Sequence, residues 1–129
     1  MRLYHVGLVC SSEAASDRFY GELLGLTKVG GKHLDAELAA EIFDVPQAMD
    51  FIYYGDGDGG LTFEVFLAPN LVPAGPHVPH TCLEFDDMVT LMTRAEIMGY
   101  ALKRIPKGAK TLFFLSDDDG NLFELKQRV

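Results

Sequence analysis

Two histidines and two glutamates occupy matching positions in two similar segments of the sequence. His5 opens the first segment and Glu64 lies near its end, while His80 and Glu124 occupy the corresponding positions of the second. A ligand set of imidazole nitrogens and carboxylate oxygens suits Ni, Co, Zn, Mn or Fe(II) better than a set of thiolates does. We therefore predict one divalent metal per chain, bound by these four residues, with positions left for water or substrate.

The two segments form an internal repeat. His-Val-Gly-Leu-Val, starting at His5, resembles His-Thr-Cys-Leu-Glu, starting at His80, and Gly-Leu-Thr-Phe-Glu-Val around Glu64 resembles Gly-Asn-Leu-Phe-Glu-Leu around Glu124. Matched strings in a matched order favour two copies of one structural unit. His and Glu are 59 residues apart in the first copy and 44 in the second, so the first copy carries 15 additional residues.

Each copy must contain the elements that position its His and its Glu. Apolar residues recur at helical spacing over 12–24 and over 87–98, and Gly25 and Gly99 follow at the ends, where positive φ is common. Ser11 or Ser12 and Asp86 or Asp87 are the predicted N-caps. Two strand-like runs joined by turn residues then form a hairpin that ends in the strand of the Glu. The pattern predicts an α+β fold of two tandem βαβββ modules.

We expect one domain over 1–129, with a first module over 1–68, a proline-rich linker over 69–79 and a second module over 80–129. The additional residues are placed near 33–47. They include apolar residues at helical spacing, which indicate a short amphipathic helix that Pro46 stops. Such an insertion could flank or cap a cavity.

Strand alternation separates the four candidates from the core. His5 points away from Val6, and Glu64 points away from Phe63 and Val65, which pack beneath the helix. The second module repeats this pattern. All four candidates therefore lie on the face that the helices leave open, and they can meet at one metal if the two modules pair these faces.

Composition narrows the possible partners. The chain has 129 residues, 48% of them hydrophobic, and a net charge of −8, which repels phosphate backbones. Nucleic acid is therefore not expected, and no apolar run is long enough to cross a membrane. A strand that starts beside Met1 leaves no room for a signal peptide, and two cysteines suit a reduced compartment, so we expect a cytoplasmic protein with free thiols.

Other polar residues are weaker candidates. His77 and His80 have an H-x-x-H spacing, but on a strand or loop this spacing does not put both rings on one side, so His77 is expected to be a bystander. Cys82 is expected to line the cavity, and Cys10 to be buried. Basic residues are concentrated in one segment of this acidic chain, and we predict that they bind an anionic substrate tail: Lys103, Arg104, Lys107 and Lys110.

These motifs resemble the vicinal oxygen chelate superfamily, which includes glyoxalase I, methylmalonyl-coenzyme A epimerase, extradiol dioxygenases and fosfomycin- and bleomycin-resistance proteins. The resemblance rests on the opening His of each module, on Phe-Tyr-Gly-Glu-Leu-Leu-Gly-Leu over 19–26 and on Asp-Gly-Asn-Leu-Phe-Glu-Leu over 119–125. It implies an open, cupped mixed sheet around a metal and a homodimer. A carboxylate at Glu64 favours the glyoxalase I branch, because the epimerases commonly carry Gln there, and a related epimerase stays open as an alternative branch.

The resemblance implies a metal-dependent lyase or isomerase of the glyoxalase type for a small-molecule substrate. Such an enzyme chelates two neighbouring substrate oxygens and moves a proton next to a carbonyl through an enediolate, with Glu124, or alternatively Glu64, as the base. Two other functions stay open: a metal-free antibiotic-binding module, and a non-haem Fe(II) dioxygenase, for which two His and one carboxylate suffice. The four metal ligands of one site can come from a single chain or from both subunits of a dimer, and the sequence leaves both alternatives open.

Overall fold

The computed structural model describes residues 1–129, which divide into two compact units, Met1–Val72 and Pro73–Val129. Each unit contains one four-stranded sheet, ordered β1-β4-β3-β2 in the first and β5-β8-β7-β6 in the second. The α+β class and the two tandem βαβββ modules are thereby confirmed. The first unit comprises β1 (His5–Cys10), α1 (Glu13–Ser16) with a π-helical continuation (Asp17–Leu23), β2 (Thr27–Leu34), α2 (Ala36–Phe43), β3 (Met49–Gly55) and β4 (Thr62–Leu67). The second comprises β5 (His80–Phe85), α3 (Met88–Ile97), β6 (Leu102–Lys107), β7 (Lys110–Ser116) and β8 (Leu122–Gln127).

Both sheets have the same pairing. The first and last strands of each unit are parallel neighbours, and the remaining pairs are antiparallel. Gly7 lies directly across from Glu64, and Cys82 lies directly across from Glu124. Each His is therefore diagonal to its Glu, two residues before the residue that pairs with the Glu.

The helix-covered face of the first sheet is its core. Phe19 and Tyr20 are fully buried, and the Tyr20 ring lies 5.5 Å from that of Tyr54 and 5.6 Å from that of Phe63. In the second unit the buried side chains of the helix and its sheet include Leu91, Ala95, Leu115, Phe123 and Leu125. The predicted division of each sheet into a core face and an open face is correct.

The first helix differs from the single α-helix predicted over 12–24. Ser12 caps it by accepting a hydrogen bond from the Ala15 amide, but α-helical bonding ends at Ser16 and π-helical bonding follows, including the bond from Leu24 N to Phe19 O. The wider π turn lets the adjacent Phe19 and Tyr20 both face the sheet. The second helix is α-helical, with Asp87 as its N-cap.

Glycines end both helices as expected. Gly25 has φ of 73° and Gly99 has φ of 84°, in the left-handed region that a Cβ disfavours. The hairpin turns are also alike. Asp56 Oδ1 accepts bonds from the amides of residues 58 and 60, and Asp117 Oδ1 accepts bonds from those of residues 119 and 121. One turn mechanism therefore precedes the Glu-bearing strand in both units.

The additional residues of the first unit include the predicted helix, α2. Strand β2 continues through His33 to Leu34, so the helix begins after the predicted start of the insertion, and it ends at Phe43 before Pro46. Its Ala39 is buried with Leu34, Met49 and Ala68 on the open face of the sheet. Helix α2 therefore covers one end of the open face.

Strand β2 contains a β-bulge. Lys28 pairs with Tyr54 and Gly30 pairs with Tyr53, so Val29 is the additional residue between two consecutive pairs. Without the bulge, Lys28 and Lys32 would share a face. Lys28 instead bonds Asp17 on the helix side, whereas Lys32 lies on the open face across from Phe51.

No helix of the chain is both long and apolar enough to span a bilayer.

Asp17 connects the first helix to the sheet. The Tyr54 hydroxyl donates to its Oδ1 at 2.7 Å, and Lys28 Nζ lies 3.1 Å from the same atom. The Tyr54 bond, with help from Lys28, lowers the pKa of Asp17 although partial burial opposes the shift. The stabilising contribution of the ionised carboxylate is thus present at neutral pH and lost as the pH falls through this lowered value.

We predict that Asp17→Asn lowers the free energy of unfolding by about 1 kcal/mol at pH 7, allowing for screening at this half-exposed position. The difference from wild type should shrink as the pH falls below about 4, where the carboxylate of the unfolded chain takes up a proton, and should be lost once the folded carboxylate is protonated as well. Urea unfolding at several pH values measures this. Asp58→Asn is the matched control in an exposed loop, and a pH-independent difference at Asp17 would contradict the electrostatic explanation.

Candidate metal centre

His5 and Glu64 form the first candidate pair. Parallel pairing of β1 with β4 brings them together on the open face, where His5 Nε2 lies 3.0 Å from Glu64 Oε2. The Glu64 side chain is 17% exposed and that of His5 is 44% exposed. The pair is sheltered by the sheet and still open to a ligand from one side.

His80 and Glu124 form the second pair in the other unit. His80 Nε2 lies 3.8 Å from Glu124 Oε2, and Glu124 Oε1 lies 3.9 Å from Lys126 Nζ. His80 Nδ1 lies 2.9 Å from the carbonyl oxygen of Val78, which can only accept a hydrogen bond. This contact assigns the Nδ1–H tautomer and leaves the Nε2 lone pair directed toward the Glu124 side, as in metal-binding histidines.

Both pairs fit the requirements of a divalent metal. Two ligands at about 2.0–2.2 Å from one ion lie about 3 Å apart at a right angle and at most about 4.4 Å apart when opposite. The observed separations of 3.0 and 3.8 Å fall within these limits. Each unit therefore supplies one nitrogen and one oxygen donor at a distance that a single ion can bridge.

A pocket of about 390 Å³ adjoins the first pair. Tyr53 lies directly across from Glu64 on β3, and Lys32 Nζ lies 5.8 Å from the centre of the Tyr53 ring. Neither residue is among those predicted from the sequence. Pairing the two strands of the predicted hairpin places Tyr53 near Glu64. The face on which Lys32 lies depends on the position of the bulge, which the sequence pattern does not show. The pocket lining includes Tyr4, His5, Lys32, Tyr53, Thr62 and Glu64.

The second pair has an aromatic neighbour in the same position. Phe114 lies directly across from Glu124 on β7, and its ring centre is 5.8 Å from that of His80. Cys82 flanks Glu124 on the other side. Burial, followed by the negative charge of Glu124, raises the pKa of the Cys82 thiol, so this side chain stays neutral at physiological pH.

A sequence model of the Glyoxalase/Bleomycin resistance protein/Dioxygenase superfamily matches residues 2–125. The chain belongs to this superfamily. The superfamily contains enzymes as well as proteins that bind antibiotics. No curated protein matches the chain in sequence.

Several solved structures share the fold of this superfamily member. Trypanothione-dependent glyoxalase I from Leishmania major is 16% identical in sequence and superposes with a TM-score of 0.71. The match covers 98% of this chain and 86% of the Leishmania chain. A second match is a mutant of the fosfomycin-resistance protein FosX from Listeria monocytogenes, in complex with Mn(II) and a dihydroxypropylphosphonic acid. It is 14% identical with a TM-score of 0.70, and the match covers 96% of this chain and 87% of the FosX chain. TnmS3, an antibiotic-binding protein from Streptomyces, is 15% identical with a TM-score of 0.66, covering 100% and 97%.

The basic segment of this superfamily member divides between two faces. Lys103 lies across from Phe114 on the open face, and Lys110 borders a pocket of about 360 Å³ that also includes Glu124 and Lys126. Lys107 pairs with Lys110 at the end of the hairpin.

Arg104 points to the opposite face and forms an ion pair with Glu96 of α3. Of the adjacent residues Lys103 and Arg104, only Lys103 shares the face of Glu124.

The remaining histidines lie apart from the pairs. His33 Nδ1 contacts Asp50 Oδ1 at 2.7 Å on the helix side of the first sheet. His77 Nε2 is buried without a hydrogen-bond partner, and its ring lies beside Gly120. Neither ring contacts a predicted metal ligand, and Cys10 is buried as expected.

We predict that neutral His80 is protonated at Nδ1, because this nitrogen contacts the Val78 carbonyl. Two-dimensional proton–nitrogen correlation spectra of the imidazole, recorded above the titration range of His, distinguish the two tautomers. His80→Gln identifies the His80 signals in these spectra. A predominant Nε2–H form would contradict this orientation of the ring.

Proposed function

We propose that the chain is a metal-dependent lyase or isomerase of the glyoxalase type that moves a proton next to a carbonyl of a small-molecule substrate. The observation that carries this proposal is the repetition of one His–Glu pair, at the same register, in both units. An antibiotic-binding module does not need two such pairs. A proton-transfer enzyme that uses a metal as Lewis acid can use both pairs as ligands.

The two pairs supply the ligands of one divalent metal per chain in this proposal: His5, Glu64, His80 and Glu124. A metal bound there supplies positive charge that stabilises negative charge developing on a substrate oxygen. The donor set accepts Ni, Co, Zn, Mn or Fe(II). The chain acts as a homodimer, and each complete site draws its two pairs either from one chain or from two copies.

Glu124 is the proposed base, as a ligand that would leave the metal when substrate binds. Its carboxylate lies 3.8 Å from His80 Nε2, beyond hydrogen-bonding distance, whereas Glu64 lies 3.0 Å from His5 Nε2. Glu124 is thus less tightly held by its own pair, and Oε2 can accept a proton from a substrate carbon. General-base catalysis by a positioned carboxylate contributes about 10²–10⁴-fold in rate. Glu64, the more firmly held carboxylate, acts as a ligand.

A metal-free antibiotic-binding module is the second candidate. The Phe51 and Phe66 rings stack at 4.8 Å on the open face, and the net charge of −8 attracts cations. Calorimetry with bleomycin in the presence of chelator tests this function. Aerobic ring cleavage of a catechol by the Fe(II)-loaded protein would instead support the dioxygenase alternative.

We predict that protein purified without chelators contains one divalent metal per chain, and that His5→Ala and His80→Ala each weaken its binding by roughly 100-fold or more, because each removes a ligand. Elemental analysis and competition with a metal-sensing dye measure the two quantities. His33→Ala is the matched control, since His33 lies on the other face of the sheet.

Full metal content in both variants would overturn the ligand assignment. Mixing the His5→Ala/Glu64→Ala and His80→Ala/Glu124→Ala chains, after unfolding and joint refolding, shows which chains supply each site. Metal binding returns in the mixture only if the two pairs come from different copies.

We predict that Glu124→Gln, saturated with metal, exchanges the substrate α-hydrogen with deuterium at least roughly 100-fold more slowly than wild type, because the amide cannot accept the proton. Proton NMR in D₂O, with thiol adducts of 2-oxoaldehydes and α-substituted thioesters as trial substrates, follows this exchange. Glu64→Gln is the matched comparison and should need more metal but keep exchange. Normal exchange in metal-loaded Glu124→Gln would remove Glu124 as the base.

A further inference from the structure

The pocket beside His5 and Glu64 contains one cationic side chain. Lys32 lies on β2, the edge strand of the sheet, two strands away from Glu64. The bulge at Val29 turns Lys32 to the open face and leaves Lys28 on the helix side with Asp17. The pocket thereby gains a positive charge that the core does not use.

Lys32 is held over an aromatic ring and is not neutralised by a carboxylate. Its Nζ lies 5.8 Å from the centre of the Tyr53 ring, within the range of a cation–π contact, and no Asp or Glu lies within ion-pair distance. By contrast, Lys28 bonds both Glu13 and Asp17. In a chain with a net charge of −8, an unpaired lysine in a pocket is available to an external anion.

Helix α2 restricts the direction in which a substrate can extend. Phe43 of α2 packs edge-on against Phe66 at 5.5 Å, and Phe66 stacks on Phe51. These rings fill the open face toward the end that α2 covers. A molecule that reacts beside His5 and Glu64 therefore extends across Tyr53, toward Lys32.

We infer that Lys32 binds an anionic group of the substrate, a carboxylate or a phosphate, at a distance from the reacting carbonyl. This inference rests on the proposed function. Lys32 is two strands away from Glu64 and two residues further along the sheet, so their backbones are about 12 Å apart, and the lysine side chain reaches back over Tyr53. The substrate is then an anion whose charged group is separated from its reacting oxygens by a chain of several bonds that crosses the Tyr53 ring.

The test compares adipate with hexanoate as ligands of the metal-loaded protein, measured by calorimetry at low salt. Both acids have six carbons and one carboxylate for the metal, but only adipate has a second carboxylate for Lys32. We expect wild type to bind adipate roughly three- to tenfold more tightly than hexanoate, and Lys32→Gln to lose this preference with unchanged metal content. A further ligand, 5-phosphonopentanoate, distinguishes a phosphate-type from a carboxylate-type site by its relative affinity.

Two variants separate a local contact from a general charge effect. Lys32→Arg should keep the preference for adipate, and so should Arg128→Gln, which removes one positive charge from a surface ion pair with Asp86. If metal-loaded Lys32→Gln prefers adipate as strongly as wild type does, the anion site is wrong and the metal site stands. If wild type binds none of the five metals, the proposed function and this inference both fail.

Discussion

The parallel pairing of the first and last strands in each unit is the constraint on which the candidate site depends. It places His5 near Glu64 and His80 near Glu124, although many residues intervene in the chain. Closing the longer first unit costs only about 0.3 kcal/mol more than closing the second, because closure entropy grows logarithmically with length. An additional helix can therefore be added to the first unit without disturbing the pair that the strands bring together.

The two faces of each sheet have different roles: one packs in the core and the other carries the candidate site. On the helix side, Phe63 and Phe123 are almost fully buried and contribute apolar contacts to the core. On the open side, Glu64 and Glu124 are only partly exposed and each lies near an imidazole group, so both side chains are accessible to a ligand from that side. Because alternate residues of one strand perform the two tasks, the site can vary chemically while the core stays the same.

Much of this arrangement follows from sequence, because repeats and alternation are local patterns. The βαβββ order, the N-caps, the glycine helix ends and the open-face position of the four metal candidates follow from residue type and spacing. The π-helical segment does not, since it depends on how Phe19 and Tyr20 pack against the sheet. The partner of Arg104 and the pocket around Lys32 depend on which strands pair and on where the register shifts, and single-strand patterns do not contain this information.

The bulge at Val29 also has an evolutionary consequence. Lengthening or shortening an edge strand by one residue at this point exchanges the side chains that it presents to the pocket for those that it presents to the helix. The central strands keep their register, because β2 pairs on one side only. A single-codon insertion or deletion is thus a route by which related chains could change ligand preference in one step, without first accumulating substitutions in the core.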